Sequence, residues 1–129
     1  MMGAFLIVFL GAGLGGALRH GVNLGSSRLF GTGFPSGTLI VNVVGSFLIG
    51  LLAGYFLVRT DVGQHWRLFL TTGLLGGFTT FSTFSLDTAL LIERQSYGLA
   101  IGYVAGSVVA GVVALFIGLA LFRPGAQLP

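Results

Sequence analysis

Gly73-Leu74-Leu75-Gly76-Gly77-Phe78-Thr79-Thr80-Phe81-Ser82-Thr83-Phe84-Ser85 sits in the middle of an apolar stretch that runs from Leu68 to Ile92. Five of the seven residues from Thr79 to Ser85 carry a hydroxyl. The whole stretch exceeds the roughly 20 residues that a helix needs to cross a bilayer. Polar side chains at that depth are costly and turn toward a bundle interior or a water path. Gly76-Gly77 can release a helix, and the β-branched Thr residues do little to restore it. Two readings stand side by side. In one, the span is broken and its freed carbonyl oxygens are buried or held on Na+ or a similar hard cation. In the other, the helix is continuous and its Ser and Thr bond back to preceding carbonyls.

Three more apolar stretches flank this one. The first spans about residues 2–24, from Met2 through Arg19-His20 toward Leu24; it lacks a basic start and a cleavage site and is therefore a retained helix. The others cover 39–58 and 99–122. All three prolines, Pro35, Pro124 and Pro129, lie outside the spans, so punctuation agrees with hydropathy. The expectation is an all-α membrane protein, one four-helix transmembrane domain over 1–129. Composition says the same. Of 129 residues 54% are hydrophobic and 7% charged, six Arg against three acids with no Lys, and the mean hydropathy is +1.00. A soluble domain is about a quarter charged. Disordered chains, basic nucleic-acid binders and ordinary soluble enzymes are excluded. With no Cys there are no disulfides or thiolate metal sites. No nucleophile–base pair, phosphate loop or metal-ligand cluster is present, His20 and His65 being too scattered, so an enzyme is not expected.

Loop arginines set the direction of insertion. With four spans, Arg59, Arg67 and Arg123 lie on one side and Arg19, Arg28 and Arg94 on the other. Three against three leaves either a weak signal settled by a partner or dual topology, with copies inserted both ways. A chain this small cannot easily enclose a polar path alone, and both points favour a homodimer. Small residues recur at helical spacing in Ser46/Gly50/Gly54, Gly102/Gly106/Ala110 and Gly11/Gly15. These predict packing seams where backbones approach closely.

Polar residues recur inside the other spans too. Asn42, with Thr38 one turn earlier, offers an amide donor to an anion or a hydrogen bond across a helix contact. Phe81 and Phe84 share a helical face among hydroxyls. Ring edges are positive, so they can meet a small anion without a fixed charge that would bind it too tightly to release. Otherwise the pair is packing. Tyr103 and Ser107 form a short donor row, or an interface-belt residue and a helix contact. Asp87 could hold a vestibule or pair with an Arg. A proton-coupled transporter would want an acid at mid-membrane, and neither Asp87 nor Glu93 is clearly there.

The motifs Gly37-Thr38-Leu39-Ile40-Val41-Asn42-Val43-Val44-Gly45 and Gly73 to Ser85, with Gly16-Ala17-Leu18-Arg19-His20 before them, closely resemble the CrcB/Fluc family of fluoride channels. The resemblance covers nearly the whole chain. It implies an antiparallel dual-topology homodimer of four-helix subunits with a broken third helix and two fluoride pores. By position, Asn42, Phe81, Phe84, Tyr103 and Ser107 would line the pore, with Thr38, Ser82 and Thr83 in its hydroxyl lining. Gly76 and Thr79 would hold a structural Na+ through backbone oxygens. Arg19 and Asp87, the latter where the family often has Glu, would flank a vestibule. Hydrogen fluoride crosses membranes and ionises in a neutral cytoplasm, so a passive channel in a bacterial inner membrane would let the trapped anion leave and lower fluoride toxicity. The alternatives are a small dual-topology proton-coupled transporter and a structural membrane subunit.

Overall fold

The computed structural model describes residues 1–122, so Arg123 and the last two prolines lie outside the described residues. Every element is a helix and no strand occurs among the described residues. Helix α1 (Met2–Phe30) continues past Arg19-His20 and ends at Gly31, whose positive φ of 76° suits glycine. Helix α2 (Ser36–Val58) begins directly after Pro35. Helix α3 covers 64–78 as an α-turn Gln64–Arg67, a π-helical stretch Leu68–Leu75 and a last turn Gly76–Phe78. Thr79 and Thr80 are extended, with φ −85° and −154°. Helix α4 (Phe81–Glu93) follows, then a turn with Gln95 at φ 58° and helix α5 (Tyr97–Leu121).

The glycine pair that could have released the helix does not do so. Gly76 keeps helical angles of −62° and −38°, and the chain leaves the helix three residues later. Gly77 serves packing instead, because a side chain there would run into the Ala12 carbonyl of α1. The two extended residues are β-branched, which favours that backbone geometry.

Helices α1, α2 and α5 are each long and apolar enough to cross a membrane. Much of their large apolar surface faces outward, including Phe5, Phe9, Val109, Val113 and Phe116. In water such a surface would drive aggregation; against lipid tails it is at home. The chain is an all-α membrane protein.

Two helix pairs dominate the packing, α1 with α3 and α2 with α5. Glycine makes both possible. Gly15 faces the Leu74 carbonyl, and a Cβ at Gly11 would stand 2.8 Å from the Phe69 carbonyl. Across the other pair Gly50 faces the Leu115 carbonyl, Gly118 the Phe47 carbonyl, and a Cβ at Gly54 would lie 2.8 Å from the Leu119 carbonyl. The seam expected at Gly102 and Gly106 does not pack within the chain: nothing lies within 4 Å of a Cβ at either position. These two glycines share the outer face of α5 with exposed Val109 and Val113. Small apolar cores sit at Val41, Leu75 and Phe78, and at Leu91, Ala100 and Tyr103. Both flank the extended Thr79-Thr80 junction.

Gly15→Leu should push α1 off α3 and lower stability in detergent by about 1–3 kcal/mol, the usual cost of overpacking. Gly13→Leu is the control, since a Cβ there meets nothing within 4 Å. Equal denaturation midpoints for the two variants would show that the α1–α3 seam does not depend on Gly15.

Candidate functional site

Everything at the site is arranged around Thr80. Its extended backbone cannot continue the ladder of α3, so its N–H and C=O need other partners. Asn42 of α2 supplies both. The Thr80 N–H donates to Asn42 Oδ1 at 2.8 Å, and Asn42 Nδ2 donates to the Thr80 carbonyl at 3.1 Å. The amide thus mimics a neighbouring strand. One of its two N–H bonds remains uncommitted. The Thr80 side chain caps α4: its Oγ1 accepts from the Thr83 N–H at 3.1 Å and donates to Thr83 Oγ1 at 3.0 Å. Ser82 Oγ lies 3.3 Å from the same oxygen.

The end of α3 is partnered in the same way. The Leu75 carbonyl accepts from the Thr79 N–H at 3.0 Å and from Thr79 Oγ1 at 2.9 Å. The Gly77 carbonyl accepts from Arg19 Nε at 3.1 Å, across from α1. The Gly76 carbonyl receives nothing from Thr80, whose N–H is committed to Asn42. No hydrogen bond from the described residues reaches the Thr79 carbonyl.

Two recesses open on either side of this junction. One, about 320 Å³, is lined by Asn42, Thr79, Thr80, Phe81, Phe84 and Ser107. Phe81 and Phe84 are inclined at 41° with centroids 5.7 Å apart. Ser107 Oγ is buried there and has no hydrogen-bond partner. A buried hydroxyl left unpaired costs about 1–3 kcal/mol unless something fills the vacancy. Phe81 is 79% exposed, so one chain does not close this recess.

The other recess, about 510 Å³, has Asn23, Ser26, Thr38, Thr83, Asp87 and Arg94 among its lining residues. The Tyr103 hydroxyl donates to Asp87 Oδ2 at 3.0 Å, and Thr38 sits beside it. Tyr103 is only 1% exposed, so it is no interface-belt residue. Its ring lies tilted at 41° against Phe84, centroids 5.2 Å apart, and edge-on to Phe34 at 5.6 Å. Asp87 has no arginine partner among the described residues, where the ion pair is Arg59–Asp61 in the α2–α3 loop.

The residues singled out by the sequence therefore fall into two groups. Asn42, Phe81, Phe84 and Ser107 share one recess. Thr38, Thr83 and Asp87 share the other, with Tyr103 bonded to Asp87. Thr80 and Asn42 stand between them, and Ser82 joins through Thr80. Gly76 and Thr79 lie at the end of α3, and Arg19 touches that end and lines neither of these two recesses. Sequence reasoning overlooked Thr80 as the hub. A hydroxyl residue immediately before a helix start, with Thr83 three positions on, is a cap signal that could have marked it.

Comparison with known proteins follows the same residues. A family model described as "CrcB-like protein, Camphor Resistance (CrcB)" matches residues 6–119. A protein of Methylobacterium nodulans named fluoride-specific ion channel FluC is 60% identical, over 92% of this chain and 94% of its own length. One from Nitrobacter hamburgensis named fluoride-specific ion channel FluC 2 is 59% identical, over 92% and 96%. Another FluC, from Granulibacter bethesdensis, is 55% identical, over 95% and 96%.

Replacing Asn42 by Leu should orphan both backbone groups of Thr80. The expected loss is about 2–4 kcal/mol, taking about 1–3 kcal/mol per unsatisfied buried group and some relief by water. Thr80→Val should cost about 1 kcal/mol through the lost cap. Denaturation in detergent reads both, and an Asn42→Leu protein as stable as the parent would remove the amide from the junction.

Proposed function

The chain belongs to the CrcB-like family, and on that premise we propose that it is a fluoride channel in a bacterial membrane. It passes fluoride out of the cytoplasm down its electrochemical gradient and lowers fluoride toxicity. No covalent chemistry is involved and the protein is not an enzyme. One observation within the chain carries the reading: the unpartnered Ser107 hydroxyl shares a recess with a free N–H of Asn42 and with Phe81 and Phe84. Uncharged donors and positive ring edges are what a small, strongly hydrated anion needs in exchange for water. With no cationic side chain lining that recess, binding stays weak enough for the ion to move on. A larger halide would gain less from donors fixed at this spacing.

The pore would run from the recess at Asn42, Phe81, Phe84 and Ser107, past the hydroxyls of Ser82 and Thr83, to Thr38, Tyr103 and Asp87. The segment from 64 to 93 would act as the fourth span, broken at Thr79-Thr80. Exposed Phe81 and the unpacked Gly102/Gly106 face support a second copy closing the path. Arg19 lies within α1, which leaves Arg28 and Arg94 on one side against Arg59, Arg67 and Arg123 on the other, and this near balance supports that copy lying antiparallel in the inner membrane. The carbonyls of Gly76 and Thr79 fit a hard cation, since neither has a partner at the junction. Two oxygens are few against the roughly six that hard cations take, so the two copies together would hold one Na+. Such an ion would supply a fixed positive charge where the copies meet.

Liposomes containing only this protein test the reading. Rapid fluoride efflux that spares chloride, with no pH gradient, is the expected result. Efflux that requires a proton gradient would point to a transporter working through Asp87, and no flux of any solute would leave a structural subunit. Phe81→Ile keeps bulk but removes the ring edge. It should cut flux about tenfold or more, equivalent to about 1.4 kcal/mol of barrier, while assembly persists; undiminished flux would make the ring packing only. Arginines added to the loops of one side should force one orientation. Such a variant should be inactive alone and active when combined with its opposite. Full activity alone would rule out the antiparallel pair.

A further inference from the structure

Arg19 lies within the 29-residue helix α1, directly after its apolar run from Met2 to Leu18. A cation there needs a reason. No carboxylate partners it: the ion pair among the described residues is Arg59–Asp61. Its side chain runs back along α1, so that a Cβ at Gly16 would touch Nη2 at 4.0 Å. Its Nε donates at 3.1 Å to the carbonyl of Gly77, 58 residues away, one residue before α3 ends at Phe78. The C-terminal end of a helix carries partial negative charge on its unsatisfied carbonyls, and a cation beside it is favourable.

We propose that Arg19 is a positioning residue: by holding the Gly77 carbonyl it fixes where α3 stops, and with it the Thr79-Thr80 junction that carries Asn42's partner and Phe81. The proposal rests on the channel reading for its functional consequence but not for the contact itself. The junction has three ties. Asn42 holds Thr80 from α2, Thr79 folds back on Leu75, and Arg19 holds Gly77 from α1. Without the third, the last turn of α3 keeps its backbone packing on α1 but loses the polar tie across that seam. Gly77 also packs its backbone on Ala12 of α1, about two turns before Arg19, so the same face of α1 provides both contact and charge.

Gly-Phe occurs twice in the chain, at Gly33-Phe34 and Gly77-Phe78. Protein labelled with carbonyl ¹³C glycine and ¹⁵N phenylalanine therefore gives two resolved pairs by solid-state NMR in lipid. The Gly33 carbonyl accepts from Arg94, which makes it an internal reference. In Arg19→Leu the Gly77 carbonyl signal should shift and the Gly33 signal stay. Fluoride flux should fall about tenfold, the scale of one charge-assisted hydrogen bond. Arg19→Lys keeps the charge at the helix end and should restore part of the flux. An unmoved Gly77 signal in Arg19→Leu, or flux equal to the parent, would overturn the proposal. If Arg19→Leu fails to assemble, Arg19→Gln gives the same two readouts. A parent protein that passes no fluoride would defeat the channel reading instead, and the Gly77 signal alone would then decide the role of Arg19.

Discussion

A chain surrounded by lipid has no water with which to satisfy stray backbone groups, so an interruption in a helix survives only if other parts of the protein take up its N–H and C=O groups. The junction at Thr79-Thr80 meets that demand with side chains from two other helices. Asn42 pairs with Thr80 in both directions, and Arg19 takes the Gly77 carbonyl. The Thr80 hydroxyl starts α4. These contacts hold Phe81 out from the chain and Phe84 against Tyr103. The geometry of the candidate site is thus a consequence of backbone accounting.

Close packing makes those contacts reachable. Arg19 lies within range of Gly77 because Gly15 and Gly77 let α1 and α3 touch backbone to backbone. The α2–α5 pair does the same through Gly50 and Gly118, and it carries Asn42 and Ser107 on adjoining helices. Glycine in a membrane helix gives up side-chain packing, and close backbone contact offsets the loss. Where no neighbour is present, at Gly102 and Gly106, the same residue type leaves a shallow apolar face.

One chain is incomplete as a conduit. Its two recesses are open, Phe81 is mostly exposed, and the Ser107 hydroxyl is left without a partner. Each deficit lies on the side that the proposed second copy would cover or that a passing anion would fill. The fluoride reading joins them in a single physical account, in which weak neutral donors replace the hydration shell of a small ion.

The sequence by itself determined the class of protein and most of the candidate residues. Apolar stretches with nine charged residues in 129 admit little besides a membrane bundle, and hydroxyls within such stretches are conspicuous because they are costly there. Residue types left the third stretch either continuous or released at Gly76-Gly77, since intrinsic flexibility is all that residue type reveals, and the family resemblance pointed to a break at Gly76 and Thr79. Only the tertiary structure decided that those glycines stay helical, that the backbone turns extended at Thr79-Thr80, and that Thr80 is the hub. The physical reason is that a helix ends where its orphaned groups find partners. Those partners, Asn42 and Arg19, are 38 and 58 residues away from the groups they satisfy.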